Sequence, residues 1–171
     1  NRKHALPAPD LSVVIPVCNE QDNVAPLARE IVVALAGRSF EILFVDDGST
    51  DETMARLRAL RAEIPQLRVL RHSRRSGQSY AVASGVHAAV AEWVATLDGD
   101  GQNDPADIPA LLAAQAAADG NVRLVMGNRV ANRRDTWLRR LQSRIANGVR
   151  AALLKDDTED SGCGIKLLQL S

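Results

Sequence analysis

Short apolar runs rich in β-branched residues alternate along this chain with segments of helical periodicity. That alternation restricts the fold more than any other feature, because strands that alternate with helices build a mostly parallel sheet. The first run, LSVVIPV (Leu11 to Val17), is a short apolar run with β-branched residues, as expected of a strand buried on both faces. Val24, Leu27, Ile31 and Leu35 then recur at helical spacing, and Gly37 marks the exit. FEILFV (Phe40 to Val45) predicts a second strand. Ser49 and Glu52 form a capping-box pattern ahead of a helix striped with Met54, Leu57 and Ile64. LRVLR (Leu67 to Arg71), Trp93 to Leu97 and VRLVMG (Val122 to Gly127) predict further strands. Helices are expected over Ser76 to Ala91, Asp107 to Ala118 and Thr136 to Leu154, the last with Leu138, Leu141, Ile145, Val149 and Ala152 on one face. The 171 residues suffice for a single α/β domain, a central sheet with helices on both faces.

The polar residues fall where such strands stop. The first strand runs into PVCNE, the second into DDGS and the fourth into DGDGQ. In open α/β sheets ligands sit beyond the carboxyl ends of the strands, so Glu20, Asp46, Asp47, Asp98 and Asp100 should border one crevice. One Asp-Gly pair is a turn signal and one acidic strand end is a helix cap. Three such ends on one rim describe a binding site. Carboxylates as close as Asp98 and Asp100 repel unless a positive charge sits among them, and Mg²⁺ or Mn²⁺ prefers oxygen ligands. PVCNEQDN contains no glycine, which rules out a G-x-G-x-x-G dinucleotide turn, and no P-loop occurs. The phosphates of a bound nucleotide would therefore need a bridging metal, which DGDGQ could hold.

Aromatics make up only 3% of the chain, too few for base-stacking platforms, and formal net charge is zero, so nucleic acid is not an expected partner. Charge is instead segregated. No Lys or Arg occurs between Arg75 and Arg123, an interval that carries Asp98, Asp100, Asp104 and Asp107. From Arg123 to Lys155 the sign reverses, with Arg129, Arg133, Arg134, Arg139, Arg140, Arg144 and Arg150 opposed by Asp135 alone. One region suits a cation and the other suits anions. Cys18 and Cys163 make neither a metal-ligand spacing nor a disulfide framework, and reduced thiols in a cytosolic setting are expected. No signal peptide is visible, and no apolar run approaches the ~20 residues that span a bilayer. The sequence stops just after the apolar run GIKLLQL, as if in mid-element, so the natural protein is expected to continue.

Taken in order, LSVVIPVCNE, EILFVDDGSTDET, RSGQSYAVASG, ATLDGDGQNDP, MGNR and WLRRLQSRIAN resemble the inverting glycosyltransferases of the GT-A fold. They are most similar to the polyprenyl-phosphate branch, which includes dolichol-phosphate mannose synthases and bacterial undecaprenyl-phosphate sugar transferases. The resemblance covers about Leu11 to Leu168 and implies one catalytic domain over residues 1–171, without a C-terminal membrane-associated part. It implies that Pro16, Glu20, Asp46 and Asp47 line the pocket for base and ribose of a nucleotide-diphospho-sugar, with Gly77 and Gln78 in the turn before the third helix. Asp98, Asp100 and Gln102 would hold Mg²⁺ or Mn²⁺ against the diphosphate, and Arg129, Arg139 and Ser143 would grip the acceptor's phosphate. Asp98, Asp100 and Arg129 are thus the catalytic candidates. The family often has an aromatic where Cys18 stands and an Asn where Arg75 stands, and DSGCGIK matches a segment near the acceptor site only loosely.

The function implied is transfer of a hexose-type sugar from the nucleotide-sugar to polyprenyl phosphate. It would take place in the cytoplasm at the inner face of the cell membrane, with peripheral membrane contact in the full-length protein and homo-oligomers as further partners. Two alternatives remain at this stage: a glycosyltransferase acting on a saccharide or other hydroxyl, and a non-catalytic nucleotide-sugar-binding module.

Overall fold

A computed structural model of the chain describes residues 9–118, 123–126 and 165–170. The chain divides into two compact units, Asn1–Met126 with Gly164–Ser171, and Gly127–Cys163. The described residues all belong to the first, so the helix expected over 136–154 lies outside them. In chain order the elements are β1 (Leu11–Val17), α1 (Val24–Ala34), β2 (Phe40–Asp46), α2 (Thr53–Glu63), β3 (Leu67–Arg71), α3 (Gln78–Ala88) and β4 (Trp93–Thr96). A 3-10 turn (Pro105–Asp107), α4 (Ile108–Ala117), β5 (Leu124–Met126) and β6 (Lys166–Gln169) follow. Among the described residues no helix is long and apolar enough to cross a membrane.

The six strands form one sheet in the order β3-β2-β1-β4-β6-β5. Pairings among β1 to β4 are parallel, as the alternation predicts. β6 is inserted between β4 and β5 and runs antiparallel to both. It is formed within the GIKLLQL run, where the sequence pattern predicted no strand.

Successive strand residues face opposite sides of a sheet, and the core divides accordingly. Val13, Ile15, Ile42, Phe44 and Leu167 pack with the buried stripes of α1, α2 and α4. Val14, Leu43, Val45 and Val94 form the other face, against Ala81 of α3. α3 approaches the sheet closely at Gly85, where an added Cβ would collide with Val14 Cγ1 and come within 2.9 Å of Val45 Cγ2. Both atoms belong to stiff β-branched side chains. Gly85→Ala is therefore expected to overpack this face and lower stability by about 1–3 kcal/mol, read as a lower denaturant midpoint at unchanged slope.

Near the amino end of β2, buried Glu41 accepts hydrogen bonds from Ser12 Oγ (2.6 Å), Arg68 Nη1 (2.6 Å) and Val90 N (2.9 Å). A buried carboxylate with this many donors ties the α3–β4 connection to the sheet. The polar rim at the other end of the strands is built differently.

Candidate functional site

The ladder between β1 and β4 runs from the Leu11–Trp93 pair to the Val14–Thr96 pair and stops there, while β1 stays paired with β2 through Val17 and Asp46. Past Val14, among the described residues, β1 is paired in the ladder with β2 alone. Pro16 lies in that stretch, where a residue without an N–H is tolerated because one side of the strand has no ladder to serve. The sheet grows from β1 in both directions, toward β2 on one side and β4 on the other, so this is the topological switch point where α/β sheets bind ligands.

A cleft of about 310 Å³ opens there, large enough for part of a small-molecule ligand. The end of β1 contributes Pro16, Cys18 and Glu20, and the end of β2 contributes Asp47. The loop before α3 contributes Arg75 and Gln78, and the turn after β4 contributes Asp98, Gly99 and Asp100. Gly99 explains the spacing of DGDG. A Cβ there would sit 2.7 Å from the Pro16 carbonyl oxygen and 2.5 Å from Val17 Cγ1, so only glycine lets this turn lie against β1. Asp98 is held from both sides: Oδ1 accepts from Gln78 Nε2 (2.9 Å) and Oδ2 from Asn103 Nδ2 (3.2 Å). Asp100 is exposed, and its Oδ1 accepts from Gln102 N (3.0 Å) in a tight Asx-type turn.

Asp47 is the best-connected group of the rim. Its Oδ1 accepts from His72 Nδ1 (2.7 Å) and Ser76 N (2.9 Å). Its Oδ2 accepts from Gly77 N (2.7 Å) and Ser76 N (3.0 Å). Burial alone would raise its pKa, but the hydrogen bonds from His72, Ser76 and Gly77 outweigh it and hold the carboxyl below the usual aspartate range. The loop is seated a second time at Gly48 (φ 73°), where a Cβ would come within 2.7 Å of Arg75 N.

The neighbouring loop after β1 is zipped to the one after β2. Asn19 adopts the left-handed conformation (φ 59°), which asparagine tolerates, and its Oδ1 accepts from Thr50 N (2.9 Å). Ser49 Oγ accepts from Asn19 N (2.9 Å) and Thr53 Oγ1 from Glu20 N (2.9 Å). Ser49 therefore does not cap α2, as the capping-box pattern suggested. The loop from β1 captures its hydroxyl, and Asp51 Oδ1 serves Thr53 N instead (3.0 Å).

Of the residues picked from sequence, the cleft brings together Pro16, Glu20, Asp47, Gln78, Asp98 and Asp100. Asp46 is not among its lining residues. Adjacent strand residues point to opposite sides, and Asp46 is fully buried, with Oδ1 accepting from Ser49 N (3.0 Å). Its Oδ2 lies 3.3 Å from Arg71 Nε, close enough for an ion pair but outside hydrogen-bond geometry. Gly77 (φ 97°) is not among the lining residues and donates its N–H to Asp47, and Gln102 is exposed outside the lining. Arg129, Arg139 and Ser143 lie outside the described residues. Reading by sequence missed His72. The signal was available, since β3 is parallel to β2 and so ends on the same rim, with His72 directly after it.

The donor set fits a hard divalent cation. Asp98 and Asp100 both line one cleft, and each Asp98 oxygen keeps a second lone pair beyond its amide donor. Among the described residues no three His, Cys, Asp or Glu side chains converge on a metal-sized site. Mg²⁺ and Mn²⁺ suit such a sparse set, because they are commonly held by one or two carboxylates with substrate phosphates completing the shell.

This architecture is a GT-A fold, the class of nucleotide-diphospho-sugar transferases. The chain belongs to glycosyl transferase family 2, whose model matches residues 12–168. The dodecaprenyl-phosphate galacturonate synthase of Rhizobium johnstonii is 33% identical over 95% of this chain and 48% of its own length. The undecaprenyl-phosphate 4-deoxy-4-formamido-L-arabinose transferase of Edwardsiella ictaluri is 37% identical over 94% of this chain and 49% of its own. The chain thus spans about half the length of the relatives it matches. Among solved structures, a Pyrobaculum calidifontis mannosyltransferase in complex with GDP-Man and Mn²⁺ superposes with a TM-score of 0.66 at 20% identity, covering 95% of this chain and 45% of that one. Glucosyl-3-phosphoglycerate synthase from Mycobacterium tuberculosis, with Mn²⁺, UDP-glucose and phosphoglyceric acid, gives 0.70 at 22% identity, covering 94% and 56%.

Proposed function

We propose that this chain carries the catalytic cleft of a metal-dependent inverting glycosyltransferase, which moves a hexose-type sugar from a nucleotide-diphospho-sugar to a polyprenyl phosphate. The observation that carries this reading is the likeness to polyprenyl-phosphate sugar transferases over nearly the whole chain. Asp98 and Asp100 would hold Mg²⁺ or Mn²⁺. When bound, the ion supplies positive charge to the departing nucleoside diphosphate. Pro16, Glu20 and Gln78 face the donor, and Asp47 supports the loop that carries Arg75 and Gln78.

The acceptor needs no strong general base. A phosphate monoester has its second pKa near ~6 and is largely a dianion at neutral pH. One of its oxygens forms the new bond to the anomeric carbon as the bond from that carbon to the diphosphate breaks, its electron pair leaving with the diphosphate. Two anions must approach each other, and Arg129 and Arg139, with Ser143, would offset the repulsion. The reaction belongs at the inner face of the cell membrane, where the lipid phosphate lies.

The test is transfer of a radiolabelled sugar to a detergent-solubilised short polyprenyl phosphate. Arg129→Ala and Arg139→Ala are expected to cripple transfer and spare nucleotide-sugar binding. Lysine at either position is expected to rescue only in part, because an ammonium does not reproduce the guanidinium fork. Normal transfer by both alanine variants would remove the acceptor assignment. A wild-type protein that labels only saccharides would make it a transferase for hydroxyl acceptors.

A further inference from the structure

His72 stands at the centre of a cluster that the proposed chemistry leaves unexplained. Its Nδ1 is 2.7 Å from Asp47 Oδ1 and its Nε2 is 3.0 Å from Ser84 Oγ on α3. Tyr80, one turn earlier on the same helix, covers the imidazole with ring centroids 5.1 Å apart. The ring is thus clamped between β2, where Asp47 follows the strand, and two turns of α3. An ionised carboxylate can only accept, so Nδ1 carries the proton and donates to Asp47. The carboxylate thus fixes the tautomer, and Nε2 is free to accept from the Ser84 hydroxyl. That hydroxyl can accept as readily as donate, so it imposes no tautomer of its own.

Asp47 in turn takes the N–H groups of Ser76 and Gly77, which directly precede α3. Two residues of this segment, Arg75 and Gln78, line the cleft, and the Gln78 amide donates to Asp98. A continuous path of hydrogen bonds and backbone therefore runs from Ser84 through His72, Asp47 and the 76–78 segment to Asp98.

We propose that His72, with its tautomer set by the Asp47 carboxylate, is a positioning residue for donor binding: it orients that carboxylate, which seats the Arg75–Gln78 segment at the cleft. The inference rests on the cleft being the donor site. It differs from a packing role for the ring in assigning the effect to a single nitrogen, Nδ1.

Two amide substitutions separate those roles. Asparagine places its side-chain nitrogen as many bonds from Cα as Nδ1, and glutamine as many as Nε2. His72→Asn keeps a donor for Asp47 and gives up Ser84, whereas His72→Gln reaches toward Ser84 and leaves Asp47 short of a donor. Affinities of UDP and of GDP, each with Mn²⁺, are measured by titration calorimetry on the whole chain. Amide hydrogen exchange is followed at Ser76 and Gly77.

For the nucleotide that binds, His72→Gln is expected to weaken affinity about tenfold, the effect of one hydrogen bond to a charged group. His72→Asn and Ser84→Ala are expected to stay within about threefold of wild type. The Ser76 and Gly77 amides should exchange faster in His72→Gln than in His72→Asn, even where the two variants melt at the same temperature. Equal affinities and equal exchange in the two His72 variants would overturn the positioning role while leaving the donor site standing. A wild-type chain that binds neither nucleotide would overturn the donor site and this inference with it.

Discussion

Asp100→Asn is expected to abolish Mn²⁺-dependent nucleotide-sugar binding and to lower sugar transfer by roughly 10³-fold or more, since a Lewis-acidic ion contributes several kcal/mol to a charged transition state. The fold should be untouched. Asp100 is exposed, its Oδ1 accepts from Gln102 N two residues on, and a side-chain amide oxygen can take that bond over. What the variant loses is charge, leaving Asp98 as the one carboxylate of the post-β4 turn on the cleft. Calorimetric titration with and without Mn²⁺ checks this, and undiminished metal-dependent binding would mean that the DGDG turn holds no cation.

The second large effect is expected at Asp47. Removing its carboxylate in Asp47→Ala leaves His72 Nδ1, Ser76 N and Gly77 N without their acceptor. Stability should fall by about 2–3 kcal/mol, the range for losing hydrogen bonds to a charged group, and nucleotide affinity by about tenfold or more as Arg75 and Gln78 lose their seating. The paired loss is diagnostic. A side chain that merely touched the base would cost affinity and leave the denaturation midpoint unchanged. The sign of the pH dependence adds a second readout. Because the folded protein holds the Asp47 pKa below its ordinary value, its stabilisation is complete above about pH 4 and fades as pH falls through the lowered folded value. The gap in stability between wild type and Asp47→Ala should therefore narrow only on the acid side of pH 4.

The layered α/β plan was legible in the sequence because parallel strands covered on both faces are written as largely apolar, β-branched runs, and β1, β2 and β3 begin where those runs begin. The acidic rim was legible for the same reason, since strand ends in a parallel sheet share one side. β6 was not. Four residues of moderate apolarity announce no direction, and its partners β4 and β5 are fixed by register with residues far away in sequence. Within the rim, residue type was readable but orientation was not. Asp46 and Asp47 look interchangeable as letters, yet one is buried under the loop and the other faces the cleft. Strand parity distinguishes them, for Asp47 continues the series of Leu43 and Val45 on the α3 side. His72 escaped notice because its importance lies in what it touches, and Ser84 and Asp47 come from two other elements.

The placement of β6 between β4 and β5 also sets an order of events during synthesis. β1 to β4 hydrogen-bond among themselves, so that part of the sheet can zip as soon as Thr96 has left the ribosome. β5 is made next, but the strand that anchors it to the sheet is β6, through Leu124–Leu168, Val125–Leu167 and Met126–Lys166. Until residues 166–169 emerge, the free edge of β4 and the unpaired β5 are both exposed to any other strand in the vicinity. A chain stalled or cut in this interval would leave the β4 edge and β5 open together, and both could pair with another strand.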